Sequence, residues 1–470
     1  MLLLILLIFQ FNESYAQTRN KPNVIFIMAD DLGYGDIGVY GQKLIKTPNI
    51  DALAKNGIKF TQFYAGTSVC APSRSSLMTG QHTGHTPIRG NKEAKPEGQF
   101  PLKGSAYTIA ELFKDAGYVT GDFGKWGLGF VGTEGDPNKQ GFDQFFGYNC
   151  QRLAHDYYPD HLWDNSTRIE LPNSLTKSEV YGPDLIQARA LGFIAANKTK
   201  PFFAFMSYTL PHAGLELPEN DKLFLEYRNA FKESPKQVKA VKTGPSLYKG
   251  QPYPRAAYAA MVTRLDDYVG QLVSKLKDLD IEKNTLIIFT SDNGPHVEGG
   301  NDPQFFNSGG GFRGVKRDLY EGGIRAPMIM SWPSVIKAGS VSDHIGAFWD
   351  FMPTFADITS QKKPQKIDGN SILPVLKGQG SQPKHDYLYW EFHENGGRQA
   401  VRMGKWKGVR LNAKTNFNSP LELYDLANDQ AESKNVAASN PEIIKKMTRI
   451  MKNARVENSD YPFTSQANIP

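Results

Sequence analysis

The chain has 470 residues, more than one ordinary hydrophobic core holds, so a large domain with a smaller companion is expected. Its only two cysteines, Cys70 and Cys150, exclude a disulfide-built scaffold. A formal net charge of +6 suits an acidic polymer substrate as well as an ordinary surface, and no Lys/Arg cluster interleaved with aromatics marks a nucleic-acid module.

Residues 1–16 open with the apolar run Leu2 to Phe9 and end Ser14-Tyr15-Ala16, with small residues at the two positions that a signal peptidase reads. A signal peptide over 1–16 is expected, and with it an exported, periplasmic or secreted protein. The run is too short for a permanent membrane span, and no later stretch is long and apolar enough for one. Asn23 to Ala29 is a continuous apolar run of strand length, the pattern of a parallel strand covered on both faces. It stops at Asp30-Asp31, which suits a surface turn or, at the carboxyl edge of a sheet, a Ca²⁺ or Mg²⁺ ion with its hard oxygen ligands. Thr47 as cap, Pro48 as first residue, Ile50, Leu53 and Ala54 facing inward and Gly57 as stop predict a short helix.

The next helix is predicted over Cys70-Ala71-Pro72-Ser73-Arg74-Ser75-Ser76-Leu77-Met78-Thr79, with proline in the first turn and Gly80 as a left-handed stop. Cys70 then lies at a helix N-terminus, where free N–H groups favour an anion; a buried thiol is the plainer alternative. Cys70 and Cys150 are free to pair or to stay apart. Thr108-Ile109-Ala110-Glu111 is a capping box for a helix with Ile109, Leu112, Phe113 and Ala116 inward and Gly117 beyond.

Tyr118-Val119-Thr120 begins a strand that runs into Gly124-Lys125-Trp126-Gly127, and Phe202 to Met206 leads to Leu210-Pro211-His212. A long helix with Met261, Leu265, Val269, Leu272 and Leu276 on one face feeds the strand Leu286 to Thr290, which delivers Asp292-Asn293. This alternation implies an α/β fold with a large, mostly parallel sheet sandwiched by helices. Parallel strands present their carboxyl ends at one edge, so Asp30, Asp31, Lys125, His212, Asp292 and Asn293 are candidates for one pocket, although His212 alone also reads as a structural histidine.

Ile324 to Trp332 reads as another strand, and Trp349 opens a helix. Polar and Gly/Lys/Gln-rich stretches place a boundary near residue 380, with an α/β domain over 20–380 and a subdomain over 381–470. In the latter, Asp386 to Phe392, Gln399 to Met403, Trp406 to Leu411 and Glu422 to Leu426 read as short strands. Asn440-Pro441 then cap a helix containing Ile443, Ile444, Met447, Ile450 and Met451, which suggests a small antiparallel sheet carrying one helix.

Cys-x-Pro-Ser-Arg followed by Leu-Met-Thr-Gly resembles the signature of the type I sulfatases of the alkaline phosphatase superfamily, and the order of motifs matches from about residue 20 to the C-terminus. The resemblance implies that a formylglycine-generating or sulfatase-maturating enzyme oxidises Cys70 to Cα-formylglycine (3-oxoalanine). It implies one Ca²⁺ held by Asp30, Asp31, Asp292, Asn293 and the modified Cys70. Arg74 would hold the hydrated aldehyde, and Lys125 and Lys316 would grip the sulfate, Lys316 being identified by its place in Arg313-Gly314-Val315-Lys316. His212 would protonate the departing alcohol. The implied activity is hydrolysis of sulfate esters, with a sulfated poly- or oligosaccharide as the expected substrate. His155, in a loop with Tyr157, Tyr158 and Trp163, is expected to bind it together with Arg313.

One position departs from the family. Many members carry histidine two residues after the lysine, where this chain has Gly127, and His296 is a candidate substitute. The superfamily also includes phosphodiesterases and phosphonate hydrolases, so such an enzyme is the alternative, as is a silent sulfated-glycan-binding protein with Cys70 unconverted.

Overall fold

The computed structural model describes residues 21–95, 97–174, 176–237, 241–243, 246–248 and 250–462, so the expected signal peptide lies outside the described residues. Ten strands form one mixed sheet: β1 (Asn23–Ala29), β2 (Ile58–Phe60), β3 (Val119–Lys125), β4 (Gln144–Tyr148), β5 (His161–Asp164), β6 (Thr167–Glu170), β7 (Phe202–Ser207), β8 (Thr285–Ser291), β9 (Met328–Ser331) and β10 (Ser340–Ser342). Their spatial order is β10-β2-β9-β8-β1-β7-β3-β4-β5-β6. The centre, β8-β1-β7-β3-β4, is parallel throughout. On either side of it β9 and β5 pair antiparallel, so the expected parallel sheet is the middle of a mixed one.

The central strands read as unbroken apolar runs because both faces are covered. Ile25, Ile27 and Ala29 of β1 pack with residues of α1 (Pro48–Lys55), such as Ile50. On the opposite face Val24, Phe26 and Met28 pack with Leu77 of α2 (Cys70–Thr79) and with Ile109 and Phe113 of α3 (Ile109–Asp115). The first cluster also takes Ile186 of α4 (Gly182–Ala196) and Met261, Leu265, Val269, Leu272 and Leu276 of α5 (Pro254–Asp278); the second takes Phe351 and Phe355 of α6 (Phe351–Thr359). Each such side chain, fully buried, is worth about 1.5–3 kcal/mol, which is what holds the strand ends in register at the site.

Local signals are read correctly at most helix ends and fail where another element intervenes. Thr108 accepts from the Glu111 N–H at 3.2 Å and Glu111 accepts from the Thr108 N–H at 2.8 Å, the reciprocal cap expected of α3. Thr47 does not cap α1: its hydroxyl accepts from the Gly38 N–H, and the free N–H groups of Asn49 and Ile50 go to the Asp266 carboxylate of α5. The expected strand from Ile324 starts later, because Glu321–Ile324 is a helical turn and β9 spans Met328–Ser331.

The C-terminal unit is an antiparallel sheet of β11 (Leu388–Phe392), β12 (Arg398–Met403), β13 (Trp406–Leu411) and β14 (Leu421–Asp425), with α7 (Pro441–Asn453) on one face. Met447 and Met451 of α7 bury against Tyr389, Val401 and Leu423. The other face presents Trp390, Phe392 and Val409 to Tyr64, Trp349 and Val69. Val69 precedes Cys70, so the small sheet braces the start of α2. Glu391 of β11 adds a buried ionic clasp, with Arg89 Nη1 at 3.0 Å and Arg455 Nε at 2.8 Å. Among the described residues no helix is long and apolar enough to cross a membrane.

Candidate active site

The site lies where the parallel strands end. The β1–β8 register continues one residue past β8, where the Asp292 N–H reaches the Ala29 carbonyl at 3.1 Å, and on the other side the Asp30 N–H reaches the Leu210 carbonyl, beyond the end of β7, at 3.1 Å. Asp31 then turns into the left-handed region at φ +62°, and its N–H donates to Asp292 Oδ1 at 3.1 Å. Cys70, at the first position of α2, donates its thiol to Asp30 Oδ1 at 3.3 Å. The ligand atoms of Asp30, Asp31, Cys70 and His212 all lie within 4.8 Å of one another. Both cysteines are free and buried, so no disulfide competes for Cys70.

Three buried carboxylates face three buried cations here. Lys125 Nζ lies 2.5 Å from Asp30 Oδ2, Arg74 Nη2 3.0 Å from Asp292 Oδ2, and Lys316 Nζ 2.7 Å from Asp31 Oδ2. Arg74 Nη1 also donates to the Lys125 carbonyl at 2.5 Å, fixing α2 to the end of β3. Burial would raise the Asp30 carboxyl, yet Lys125, His212, Arg74 and Lys316 together hold it well below the usual range. Asp292 goes the other way, pushed up to about 7 by burial and by the neighbouring Asp30 charge. Burial, helped by Asp30, pushes the Cys70 thiol well above its ordinary value, so as a cysteine it is a poor nucleophile.

This donor set fits a hard divalent cation. Asp30, Asp31 and Asp292 supply carboxylate oxygens, and Asn293 donates through Nδ2 to Asp31 Oδ1 at 2.7 Å while its Oδ1 is buried with no partner among the described residues. A cation among these oxygens would relieve the repulsion that raises Asp292.

His212 Nδ1 faces the Ala213 carbonyl, which puts the ring hydrogen on Nδ1 and leaves Nε2 to accept from Lys316 Nζ at 2.9 Å. Burial and the Lys316 ammonium hold its pKa well below the usual histidine range. The His155 ring stacks on His212 at 4.5 Å and 4°. That brings His155 to the site's edge. His296 stacks on the His212 ring at 5.8 Å, with Nε2 3.1 Å from the Pro211 carbonyl. Gly127 meets a different side chain altogether: a Cβ built there would lie 2.4 Å from Gln151 Nε2. Arg313 is not brought into the cluster. Its guanidinium lies 3.8 Å over the Tyr320 ring and donates to the Tyr424 hydroxyl and the Glu432 carbonyl, tying its loop to the C-terminal sheet instead.

Sequence reasoning missed three supports. Ser73 donates its hydroxyl to the Asp292 carbonyl at 2.6 Å, Asn91 Oδ1 accepts the Ala71 N–H at 3.1 Å, and the Tyr157 hydroxyl reaches the carbonyls of Thr209 and His212 at 2.8 and 2.7 Å. Ser73, inside the helix motif, and Tyr157, in the aromatic loop, carried a signal, and Asn91 carried none.

The sulfatase family profile matches residues 22–361. The chain belongs to the sulfatase family. A second profile, N-sulphoglucosamine sulphohydrolase, C-terminal, matches residues 312–457 of this sulfatase, beginning ahead of the small sheet. The chain is 32% identical over 417 residues to N-acetylgalactosamine-6-sulfatase of Rattus norvegicus, spanning 83% of this chain and 72% of the relative. It is 30% identical over 483 residues to arylsulfatase A of Homo sapiens, spanning 91% and 87%. Among solved structures it resembles Ps i-CgsB in complex with k-i-k-neocarrahexaose, with a TM-score of 0.75, 30% identity and 92% of each chain covered. A phosphonate monoester hydrolase of Agrobacterium radiobacter shares the fold at 20% identity and a TM-score of 0.65. This sulfatase is therefore a sulfuric ester hydrolase built on the alkaline phosphatase-type sheet.

Proposed function

We propose that this sulfatase removes sulfate from a sulfated poly- or oligosaccharide, using a formylglycine made from Cys70 by a formylglycine-generating or sulfatase-maturating enzyme. The observation that carries the proposal is the chain of contacts from Cys70 to Asp30 to Lys125, beside Arg74 on the same helix face, all at the N-terminus of α2. Support for a carbohydrate comes from the relatives, one named for N-acetylgalactosamine sulfate and one solved with a carrahexaose. A signal peptide over residues 1–16 would deliver the enzyme to the periplasm or beyond, where such polymers are met.

Asp30, Asp31, Asp292 and Asn293 would hold Ca²⁺, which when bound would supply Lewis-acid stabilisation of charge on sulfate and nucleophile. The hydrated aldehyde supplies one hydroxyl to attack sulfur and a second through which sulfate is expelled. Lys125 and Lys316 already carry the positive charge that the sulfuryl oxygens require, each held on a carboxylate 2.5–2.7 Å away. Arg74 fixes residue 70 against the end of β3. His212 Nε2 would hand the proton to the departing alcohol: it accepts from the Lys316 ammonium in this structure, and takes up a proton once a sulfate anion engages that ammonium, while His155 stacks on its ring.

The test has two parts. Intact mass of the peptide containing residue 70 should be about 18 Da below that of the thiol form, from exchange of SH and H for a carbonyl oxygen. Sulfate release should then be measured on defined sulfated mono- and oligosaccharides and on matched phosphate esters and phosphonates. Faster turnover of the phosphorus compounds, or an unconverted cysteine with full activity, would overturn the proposal.

A further inference from the structure

Gly127, two residues past Lys125, sits at φ +74°, and a Cβ built on it would lie 2.4 Å from Gln151 Nε2 and 3.9 Å from Arg74 Cδ. The Gln151 carboxamide thus fills the space that a side chain at 127 would use. Its backbone is tied down beside the start of α2. The Gln151 N–H reaches Gln99 Oε1 at 3.3 Å on the hairpin of Glu93–Ala94 and Gly98–Gln99, and Asn91, just before that hairpin, caps the Ala71 N–H. Asn149 flanks the same point, its carbonyl accepting the Gly127 N–H at 3.2 Å.

Gln151 is 6% exposed and Asn149 0%. Neither the nitrogen nor the oxygen of either carboxamide has a hydrogen-bond partner among the described residues. Two buried amides left unpaired, that of Gln151 against Gly127 and that of Asn149, the residue whose main-chain carbonyl holds the Gly127 N–H, are costly, so the arrangement points to a ligand. Each amide offers N–H donors and a carbonyl acceptor. A sulfate group only accepts, and would leave both carbonyls unmatched. A hydroxyl donates and accepts, and matches both.

We infer that Asn149 and Gln151 hold the hydroxyls of the hydrated aldehyde at residue 70. The inference rests on the formylglycine reading above. Water adds across the aldehyde C=O, its oxygen bonding to carbon and one proton going to the carbonyl oxygen, so no oxidant or reductant is consumed. The amides donate to the hydroxyl oxygens and accept from their hydrogens. An amide does not ionise in the working range, so it holds the hydrate equally well at pH values where an imidazole would change charge. His296 is thereby released from that duty, since its ring stacks against His212 and contacts Pro211.

The test uses the matured protein with Gln151→Leu and Asn149→Leu, and Gln151→Glu as a second variant should a leucine variant not fold. Residue 70 is read by peptide mass, and its free-aldehyde fraction by the rate at which an aminooxy reagent labels the folded protein. Loss of the amides should speed labelling about tenfold, the size of a hydrogen bond or two, and lower kcat with less effect on KM. Gln151→Glu, which keeps an acceptor but loses the donors, should label at an intermediate rate. Labelling at the wild-type rate in protein whose mass shows the aldehyde would overturn the inference, even where the melting temperature falls, since that combination describes a merely structural role. A wild-type peptide that still carries the thiol would instead remove the formylglycine reading, and the inference with it.

Discussion

Replacing His212 by alanine separates proton donation from every other task at the site. The ring is buried between His155 at 4.5 Å and His296 at 5.8 Å, and only Nε2 faces Lys316 and Asp31, at 2.9 and 3.2 Å. The loop that carries it should stay in place, because the Tyr157 hydroxyl grips the main-chain carbonyls of residues 209 and 212. The loss should then be chemical. A sugar alkoxide is a poor leaving group that needs its proton in the transition state, and general acids contribute about 10²–10⁴ in rate, or roughly 3–5 kcal/mol of barrier. Nitrophenolate leaves without one. For His212→Ala, kcat/KM on a sugar sulfate should therefore fall about a thousandfold, while 4-nitrophenyl sulfate should lose about tenfold from altered packing. Lys316→Ala, which strips a sulfate contact, should slow both substrates alike. Equal losses on the two esters for His212→Ala would refute the acid role.

Three further outcomes are expected. Cys70→Ala should abolish turnover while leaving the melting temperature within a few degrees, because the thiol contributes one weak hydrogen bond to Asp30 at 3.3 Å; residual sulfate release at more than trace level would count against residue 70 as nucleophile. Calcium at a hundredfold excess over its Kd should stabilise the fold by about 2.7 kcal/mol, reversibly with chelator, and Asn293→Leu should abolish that response in a thermal melt. Glu391→Gln should destabilise the protein by about 3–5 kcal/mol at pH 7, measured by denaturant unfolding, since it strands Arg89 and Arg455. Burial raises the Glu391 carboxyl, but the His393 hydrogen bond, Arg89 and Arg455 outweigh it and hold the group well below its ordinary value. Its contribution is thus full above about pH 4.5 and is lost as pH falls through the depressed value, so the wild type should lose stability on acidification more steeply than the variant; parallel curves would contradict this.

The parts of this protein that were legible in the sequence are those written in neighbouring residues. The apolar run of β1 announced a strand covered on both faces, and Pro72 and Gly80 bracketed α2, whose Gly80 does adopt φ +67°. The capping box at Thr108 is formed as written. Thr47 failed for a definable reason: its residue type suits a cap, but a carboxylate more than two hundred residues away, Asp266, takes the N–H groups first. Arg313 shares a segment with Lys316 and yet faces Tyr320 and Tyr424. Nothing in a run of neighbours states which way a loop arginine turns.

Sequence alone determined the central apolar strands, the helix that starts at Cys70 and the residue types gathered there, because dihedral preferences, capping and burial periodicity act over a few residues. Tertiary structure decided how they meet. Asp31 and Asp292 are 261 residues apart and touch only because β1 and β8 pair in one register, and Gln151 reaches Gly127 only because β4 lies beside β3. Coulomb forces and hydrogen bonds depend on distance in space, and that distance is fixed by the packed sheet.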